Sequence, residues 1–355
     1  LASFRKNDAE IESALAGVVK AAPHDLEAAN RLAVIYQQRR RYGDAVKLLR
    51  EMAKTDRRNP ALWNQIAYAE AFGGNRPGAM EALGEYRKLN PADPNVEDST
   101  GDVLFFFGKF AEAAESYEKA HKLGPKWQGG FALFKAAWAR MYADDLAAAD
   151  SRMEQYLALL RTANKQMAEL RAAQWQFLRG RRAEARSSLT AILGQGSLAR
   201  PYRGLVASQL YVWDIAEGRL AQLVAEFRAR TPRYGTEVTP VLAGLLEGAK
   251  AGLTPAERAA AISRVMGGNA PGMTVAAATF LEARLHPPLS AEGLQALVMA
   301  DNATPEASAM FTHALAAWGF LERGEAAEAA QIFARRIPPV ATDDGMLWPL
   351  IFPQS

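Results

Sequence analysis

Small and large apolar residues recur along the chain at helical spacing, and their strongest regularity is a period of 34 residues. An alanine returns at this period in three places, namely Ala45, Ala79 and Ala113. A large side chain follows each alanine about one helical turn later, at Leu49, Leu83 and Tyr117. A fixed period of this length predicts stacked helical hairpins, because one hairpin cannot bury its apolar face alone.

Three consecutive units, 26–59, 60–93 and 94–127, carry this period. The first helix of each holds a pair of residues whose second member is small, at Leu32-Ala33, Ile66-Ala67 and Thr100-Gly101. Helices approach closely only where a side chain is nearly absent, so each pair predicts a tight crossing. Upstream, Leu15 lies 34 residues before Leu49, and residues 8–22 are therefore predicted to form the second helix of an earlier unit.

These units resemble the tetratricopeptide repeat, whose pattern is W-x2-L-G-x2-Y, then A-x3-F, then P. The middle unit matches it at Trp63, Ile66, Ala67, Ala79, Leu83 and Pro91. The third unit matches it at Gly101, Leu104, Gly108, Phe110, Ala113, Tyr117, Ala120 and Pro125. Glu70 departs from the pattern, since it stands where the family has an aromatic residue. The resemblance covers about residues 8–127 and implies an all-α fold, a right-handed superhelical α-α solenoid.

The period loosens further along the chain, where Ala149 and Ala185 follow at 36 residues each. We predict about nine helix pairs, from the length of one repeat. The segments expected are an N-terminal half-repeat or cap helix over 1–23, a regular array over 24–127 and divergent repeats over 128–235. Further helical hairpins are expected over 236–337, with an extended capping segment over 338–355.

Composition excludes several function classes. The chain is 49% hydrophobic and 23% charged, with a formal net charge of +3, and shows no continuous basic stripe for nucleic acid. No apolar run approaches the roughly 18 residues of a membrane span, so the chain is predicted to be soluble. It contains no cysteine, which excludes disulfides and thiolate metal sites and leaves cytoplasm and periplasm equally open.

Residues with catalytic or metal-binding potential are scattered. The four histidines lack a second histidine or carboxylate at ligand spacing on one helix face. The adjacent carboxylates Asp144 and Asp145 fall in a predicted turn, where they face water. The sequence therefore predicts neither an enzyme nor a bound metal or cofactor.

The resemblance implies that the first helix of each unit lines a concave groove. The residue after the Trp63 position, and the residue four later, then face a ligand, which is a protein or a peptide. A carboxamide both donates to and accepts from a peptide backbone, so Asn30, Asn64 and Asp98 form a candidate ladder. The alternative is that they are merely solvated. The predicted partner-binding residues are Asn30, Asn64, Tyr68, Asp98 and Asp102, with Phe105 and Trp138 as apolar contacts.

An aromatic stripe at Phe131, Phe134 and Trp138 fits two registers. If Ala136-Ala137 forms the tight crossing, the stripe is an aromatic floor of the groove. If the extra residues lie in the preceding turn, the stripe is ordinary core. Long aromatic stripes at helical spacing are usually buried, which favours the core.

The sequence as a whole predicts a non-catalytic protein- or peptide-binding scaffold that uses this groove. The alternative is a regulatory or assembly module of a larger bacterial protein, of the signalling, transcription or envelope polysaccharide-assembly type. The half-repeat at the start, and a first residue that is not Met, motivate the alternative.

Overall fold

The computed structural model describes residues 2–22, 25–196, 198–250, 252–266, 271–286, 288–304 and 310–333. Within them the regular structure is helical throughout, so the predicted all-α class is confirmed. A single helix, α1, is followed in the described residues by nine successive helix pairs. The predicted capping segment 338–355 lies outside the described residues.

The chain forms two units, the first ending at Tyr156 and the second beginning at Leu157. The helices that begin in the first unit are α1 (Ala2–Ala21), α2 (Leu26–Gln38), α3 (Tyr42–Thr55), α4 (Pro60–Phe72), α5 (Arg76–Leu89), α6 (Pro94–Phe106), α7 (Phe110–Leu123), α8 (Phe131–Tyr142) and α9 (Leu146–Ala163). A short 3-10 segment, Trp127–Gly130, precedes α8.

The second unit continues the same alternation of first and second helices. Its helices are α10 (Lys165–Leu178), α11 (Arg182–Leu193), α12 (Arg200–Ala216), α13 (Leu220–Arg228), α14 (Pro240–Gly248), α15 (Pro255–Met266), α16 (Pro271–Leu285), α17 (Ala291–Ala303), α18 (Met310–Glu322) and α19 (Ala326–Phe333).

The first helices start on capping residues that keep the 34-residue period. Asp25 and Asn59 accept hydrogen bonds from the backbone N–H groups of Ala28 and Leu62, at 3.0 and 3.3 Å. Asp93 caps α6 in the same way through the N–H of Asn95. Such side chains satisfy N–H groups that have no partner inside the helix, so they fix where it begins.

The turn inside each hairpin of the first unit repeats one backbone hydrogen bond. The N–H of Asn75 donates to the carbonyl of Glu70 at 2.8 Å, and the residue before it, Gly74, has φ +86°. The N–H of Lys109 donates to Leu104 at the same distance, after Gly108. This is the Schellman ending of a helix, which requires a left-handed residue and turns the chain sharply.

Each second helix of the first unit buries one stripe of residues, its fourth, eighth and eleventh. In α3 and α5 these residues are at most 4% exposed, and α7 and α9 repeat the arrangement. The stripe consists of Ala45, Leu49 and Met52 in α3, Ala79, Leu83 and Tyr86 in α5, Ala113, Tyr117 and Ala120 in α7, and Ala149, Met153 and Tyr156 in α9. Ala149 is thus still the fourth residue of its helix although it breaks the 34-residue period.

The facing stripe on each first helix consists of its third, fourth, seventh and eighth residues. In α2, α4, α6 and α8 these positions are all buried. The helices approach closely at Gly101 of α6, where a Cβ atom would lie 2.5 Å from the Tyr117 ring. The predicted tight crossing is therefore present at this position.

The second unit has its own apolar core of the same construction. Ala185, Leu189 and Ile192 occupy the fourth, eighth and eleventh positions of α11 and are buried. The rings of Phe177 and Trp213 stack at 4.2 Å between centroids within this core. Gly248 of α14 lies against Ile262 at a distance that would exclude a Cβ atom.

Replacing Gly101 with Ala tests whether this crossing limits stability. We expect a loss of about 1–3 kcal/mol of unfolding free energy, because the added methyl group displaces the buried Tyr117 ring. Gly84→Ala is the matched control, since a Cβ atom at this mid-helix glycine of α5 meets open space. The control should gain about 0.5–1 kcal/mol. Urea unfolding followed by circular dichroism measures both, and equal shifts would contradict the crossing.

Candidate partner-binding groove

The helix starts of the first unit define two rows of side chains along its first helices. The fifth residues of α2, α4, α6 and α8 are Asn30, Asn64, Asp98 and Lys135, here called the fifth-residue row. The ninth residues are Val34, Tyr68, Asp102 and Ala139, here called the ninth-residue row. The rows contain the predicted ladder and add Lys135 to it.

Lys135 belongs to the row because the connection before α8 is longer than the earlier ones. Residues 124–130 separate α7 from α8, whereas residues 90–93 separate α5 from α6. Gln128, Gly129 and Gly130 have φ values of 46°, 64° and 80°, so this connection takes up the extra residues in a left-handed turn. Counted from its first residue, Phe131, α8 therefore places Lys135 at the same fifth position that Asp98 has in α6.

A buried polar cluster joins the later members of the two rows. The Lys135 ammonium donates to Asp98 Oδ2 at 2.6 Å and to Asp102 Oδ1 and Oδ2 at 3.0 and 3.3 Å. Asp98 is 4% exposed and Asp102 8% exposed. One buried cation thus holds two carboxylates that would otherwise repel each other.

Two tyrosines complete the cluster around Asp102. The Tyr68 hydroxyl donates to Asp102 Oδ2 and the Tyr117 hydroxyl to Asp102 Oδ1, both at 2.8 Å. Burial, and then the charge of Asp102, raise the pKa of both tyrosines well above the usual value. Both hydroxyls therefore stay protonated and act as donors, so that each oxygen of Asp102 has two donors.

The two charged members of the fifth-residue row titrate differently from free side chains. Burial lowers the pKa of Lys135, but Asp102 and Asp98 outweigh this effect and the net pKa is raised. Burial and the neighbouring Asp102 raise the pKa of Asp98 to about 6, against the opposing effect of Lys135. Lys135 therefore stays protonated and positively charged at neutral pH, whereas Asp98 gains a proton in mildly acidic solution.

Three members of the fifth-residue row share an unsatisfied acceptor. The Oδ1 atoms of Asn30, Asn64 and Asp98 are buried and have no hydrogen-bond donor among the described residues. An unsatisfied buried acceptor costs about 1–3 kcal/mol. The same deficiency at the same position of three successive helices is a property of the row rather than of one residue.

The structure brings most of the predicted site residues onto these rows but gives them different surroundings. Asn30 and Asn64 are half-buried, and Val34 is 48% exposed. Asp98, Asp102 and Tyr68 are bonded to one another or to Lys135. Sequence reasoning missed Lys135; the signal was a single lysine inside the apolar stretch of α8.

The two predicted apolar contacts lie in the core rather than on a surface. Phe105 is 1% exposed, with its ring edge-on to those of Phe110 and Tyr142 at 5.0 and 5.4 Å. Trp138 is 2% exposed and occupies the eighth position of α8. Phe134, at 3% exposure, contacts the Tyr156 ring. Phe134 and Trp138 therefore agree with the core interpretation of the aromatic stripe, whereas Phe131, the first residue of α8, is half-buried.

The second unit contains a different charged cluster, in which the charges are paired. Asp214 is 1% exposed and accepts from Arg186 Nη1 at 2.9 Å and from Arg219. Arg233 lies 3.7 Å from the other oxygen of Asp214 and also pairs with Glu226. Carboxylates and guanidinium groups alternate in this cluster, so it ties α11, α12 and α13 together.

The described residues contain neither a metal-binding cluster nor a membrane-spanning helix. No group of three or more histidine or acidic side chains is placed to hold a metal ion there. Likewise, none of the described helices combines the length and apolarity that crossing a membrane requires.

Comparison with known proteins found similarity of the chain to solved structures. No protein-family model and no curated protein sequence matches it. The structure is similar to that of MamA, with 20% identity over 46% of this chain and 90% of that one, at a TM-score of 0.38. It is similar to the TPR domain of P58(IPK), with 16% identity over 92% and 96% of the two chains, at a TM-score of 0.25.

A human IFIT1 dimer with m7Gppp-AAAA is also similar, at 11% identity over 92% of this chain and 67% of that one, with a TM-score of 0.40. The described part of this chain is itself a series of helical hairpins. The ligands of those proteins do not transfer to it at such similarity.

Replacing Asp98 with Asn isolates the titration of this carboxyl. Its folded pKa of about 6 lies above the ordinary value of 3.8, so the folded state binds the proton more tightly and stability falls as pH rises from about 4 to about 6. The wild type should lose up to about 3 kcal/mol relative to Asp98→Asn across this range. Urea unfolding at several pH values measures the difference.

Glu115→Gln, at an exposed position on α7, is the control and should leave the pH dependence of the wild type unchanged. A constant difference between wild type and Asp98→Asn from pH 4 to pH 6 would refute the assignment.

Proposed function

We propose that the chain is a non-catalytic scaffold that binds a protein or peptide segment in the groove of its first unit. The contact surface is the N-terminal end of the two rows, at Asn30, Val34 and Asn64. The single observation that carries this proposal is that the half-buried Asn30 and Asn64, at one position of successive first helices, each have a side-chain oxygen without a donor among the described residues. An occupant that brings hydrogen-bond donors at matching intervals would remove that deficiency.

A peptide backbone is suited to such a row. Its N–H groups donate to the carboxamide oxygens and its carbonyls accept from the carboxamide nitrogens, so one asparagine serves both. Asn30 and Asn64 are half-buried, so both residues keep some solvent-accessible surface. The exposed Val34 between them adds an apolar contact.

The later half of the rows has a different role in this proposal. Asp102 and Tyr68 already satisfy each other, and Lys135 is committed to two carboxylates. A partner that competed for these groups would have to break buried charge-assisted bonds, which costs several kcal/mol. The cluster therefore supports α4, α6, α7 and α8 and gives the groove a fixed wall.

Asn64→Ala tests the contact surface. A peptide selected against the intact chain from a display library should bind the variant about 3–10-fold more weakly, the equivalent of one lost hydrogen bond. Fluorescence polarisation of the labelled peptide measures the affinity. The melting temperature should stay the same, because the Asn64 side-chain oxygen makes no bond within the described residues.

Asn90→Ala is the matched control, since Asn90 ends α5 away from the two rows. It should change neither affinity nor melting temperature. A loss of stability in Asn64→Ala with unchanged affinity would show that the asparagine row is structural.

A further inference from the structure

Positive charge is concentrated in the second unit, between residues 179 and 233. This stretch contains ten arginines and four acidic residues, a net charge of +6, whereas the whole chain has +3. No lysine lies between residues 166 and 249, so every basic side chain there is an arginine. A guanidinium group stays charged and presents a planar fork of N–H donors that matches a carboxylate.

Two of these arginines occupy the same position in successive hairpin turns. Arg181 follows Gly180, which has φ +80°, and Arg219 follows Gly218, which has φ +84°. The backbone N–H groups of both arginines donate at 2.9 Å to the carbonyl five residues earlier. Both side chains therefore start from the edge of the unit where its hairpins turn.

Arg186 of α11 connects these two turns. Its Nη2 atom lies 2.8 Å from Glu217 Oε2, and Arg219 Nη2 lies 2.6 Å from the same oxygen. Because Glu217 directly follows α12, the beginning of α11 lies against the end of α12. The arginine edge is defined here as Arg181, Arg182, Arg186, Arg219 and Arg233.

The folded chain holds several side chains of the arginine edge in place. The guanidinium group of Arg182 lies 5.6 Å from the centroid of the Phe177 ring, and that of Arg186 lies 5.8 Å from the centroid of the Trp213 ring. Both rings belong to the buried stacked pair of the second core. A guanidinium group that is already fixed loses less entropy when it binds a carboxylate.

Arg181 is the member of the arginine edge that is open to a partner. It is exposed, and its side chain forms no ion pair or hydrogen bond with any residue that the structure describes. The carboxylates of the neighbouring cluster are already shared among Arg186, Arg219 and Arg233. A carboxylate from outside the chain would thus meet an unpaired guanidinium group beside a fixed set of others.

We propose that the arginine edge binds an acidic segment of a partner protein, in which carboxylates stand at alternate residues. Arg182 and Arg186 are four residues apart on α11, which is about 6 Å along the helix axis. An extended peptide places alternate side chains on one face at about 6.6–6.8 Å, so neighbouring carboxylates match this spacing. The inference goes beyond the proposed function, because the arginine edge lies in the second unit and shares no residue with the groove.

An acidic peptide fits this surface better than a nucleic acid does. Single strands are bound by stacking of bases on aromatic side chains, but Phe177 and Trp213 are 4% and 0% exposed. Asp214, Glu217 and Glu226 also interrupt the positive surface, whereas a phosphate backbone needs a continuous one.

The probe is a fluorescent peptide of about twelve residues in which glutamate alternates with serine. It should bind the full chain saturably in fluorescence polarisation at about 20 mM salt, where charge interactions are weakly screened. A matched peptide with glutamine in place of every glutamate should not bind.

Arg181→Glu should weaken binding of the glutamate peptide about tenfold, since a repelling charge replaces an attracting one. The Arg181 side chain has no partner among the described residues, so the circular dichroism spectrum and the melting temperature should stay unchanged. Arg76→Glu is the matched control. Arg76 is likewise exposed, begins α5 beside a hairpin turn of the first unit and changes the net charge equally.

Arg76→Glu should bind like the wild type, as should Asn64→Ala, which separates this site from the groove. Absence of saturable binding, or equal weakening by Arg181→Glu and Arg76→Glu, would overturn the proposal, because binding would then follow net charge alone. A single-stranded thymidine oligonucleotide of equal charge is the last competitor. If it bound more tightly than the peptide and lost affinity in Arg181→Glu, the arginine edge would be a nucleic-acid site and the proposal would be wrong.

Discussion

The structure of the first unit depends on one repeated contact, between the fourth, eighth and eleventh residues of a second helix and the third, fourth, seventh and eighth residues of a first helix. An alanine at the fourth position permits the close approach, and a larger residue at the eighth fills the space beside it. Each contact buries several apolar side chains, and such burial stabilises the fold by about 25 cal/mol per Å² of apolar surface. Caps and turns then set where each helix begins, so that the stripes meet.

Two carboxylates, Glu97 and Glu70, are buried on the first helices, and each is paired with neighbouring side chains. Glu97 stands at the position of Trp63, and its carboxylate is held by Arg87 and Lys119 at 3.0 and 2.7 Å. Glu70, which departs from the repeat pattern, is held by Arg50 and Asn75. A buried carboxylate is tolerated only with such partners, because removing an unpaired charge from water costs several kcal/mol.

The sequence alone predicted the features that depend on the size and spacing of neighbouring side chains. The alanine period, the small residue at Gly101 and the all-α class all follow from side-chain size and spacing, and the structure confirms them. The slip at Ala149 was harder to interpret, since a count of residues does not say whether the extra ones lengthen a helix or a turn. The left-handed residues before Phe131 place them in the turn, and only then does Lys135 align with Asp98.

The burial of the predicted site residues could not be derived from the sequence in this way, because it depends on residues of neighbouring hairpins. Asp98 and Asp102 have the right register for a ligand-facing role, but whether they face a ligand or one another depends on Lys135, a residue of the next hairpin. Phe105 and Trp138 likewise depend on how neighbouring helices cover them.

The same dependence divides the groove into two parts with separate roles. Where a following first helix supplies Lys135, the polar side chains are bonded to one another and add to stability. At Asn30 and Asn64 the side-chain oxygens have no donor among the described residues, and Val34 between them is 48% exposed. The side chains that lack internal partners are therefore the ones to which the proposed function assigns the peptide contact, because the others already satisfy one another.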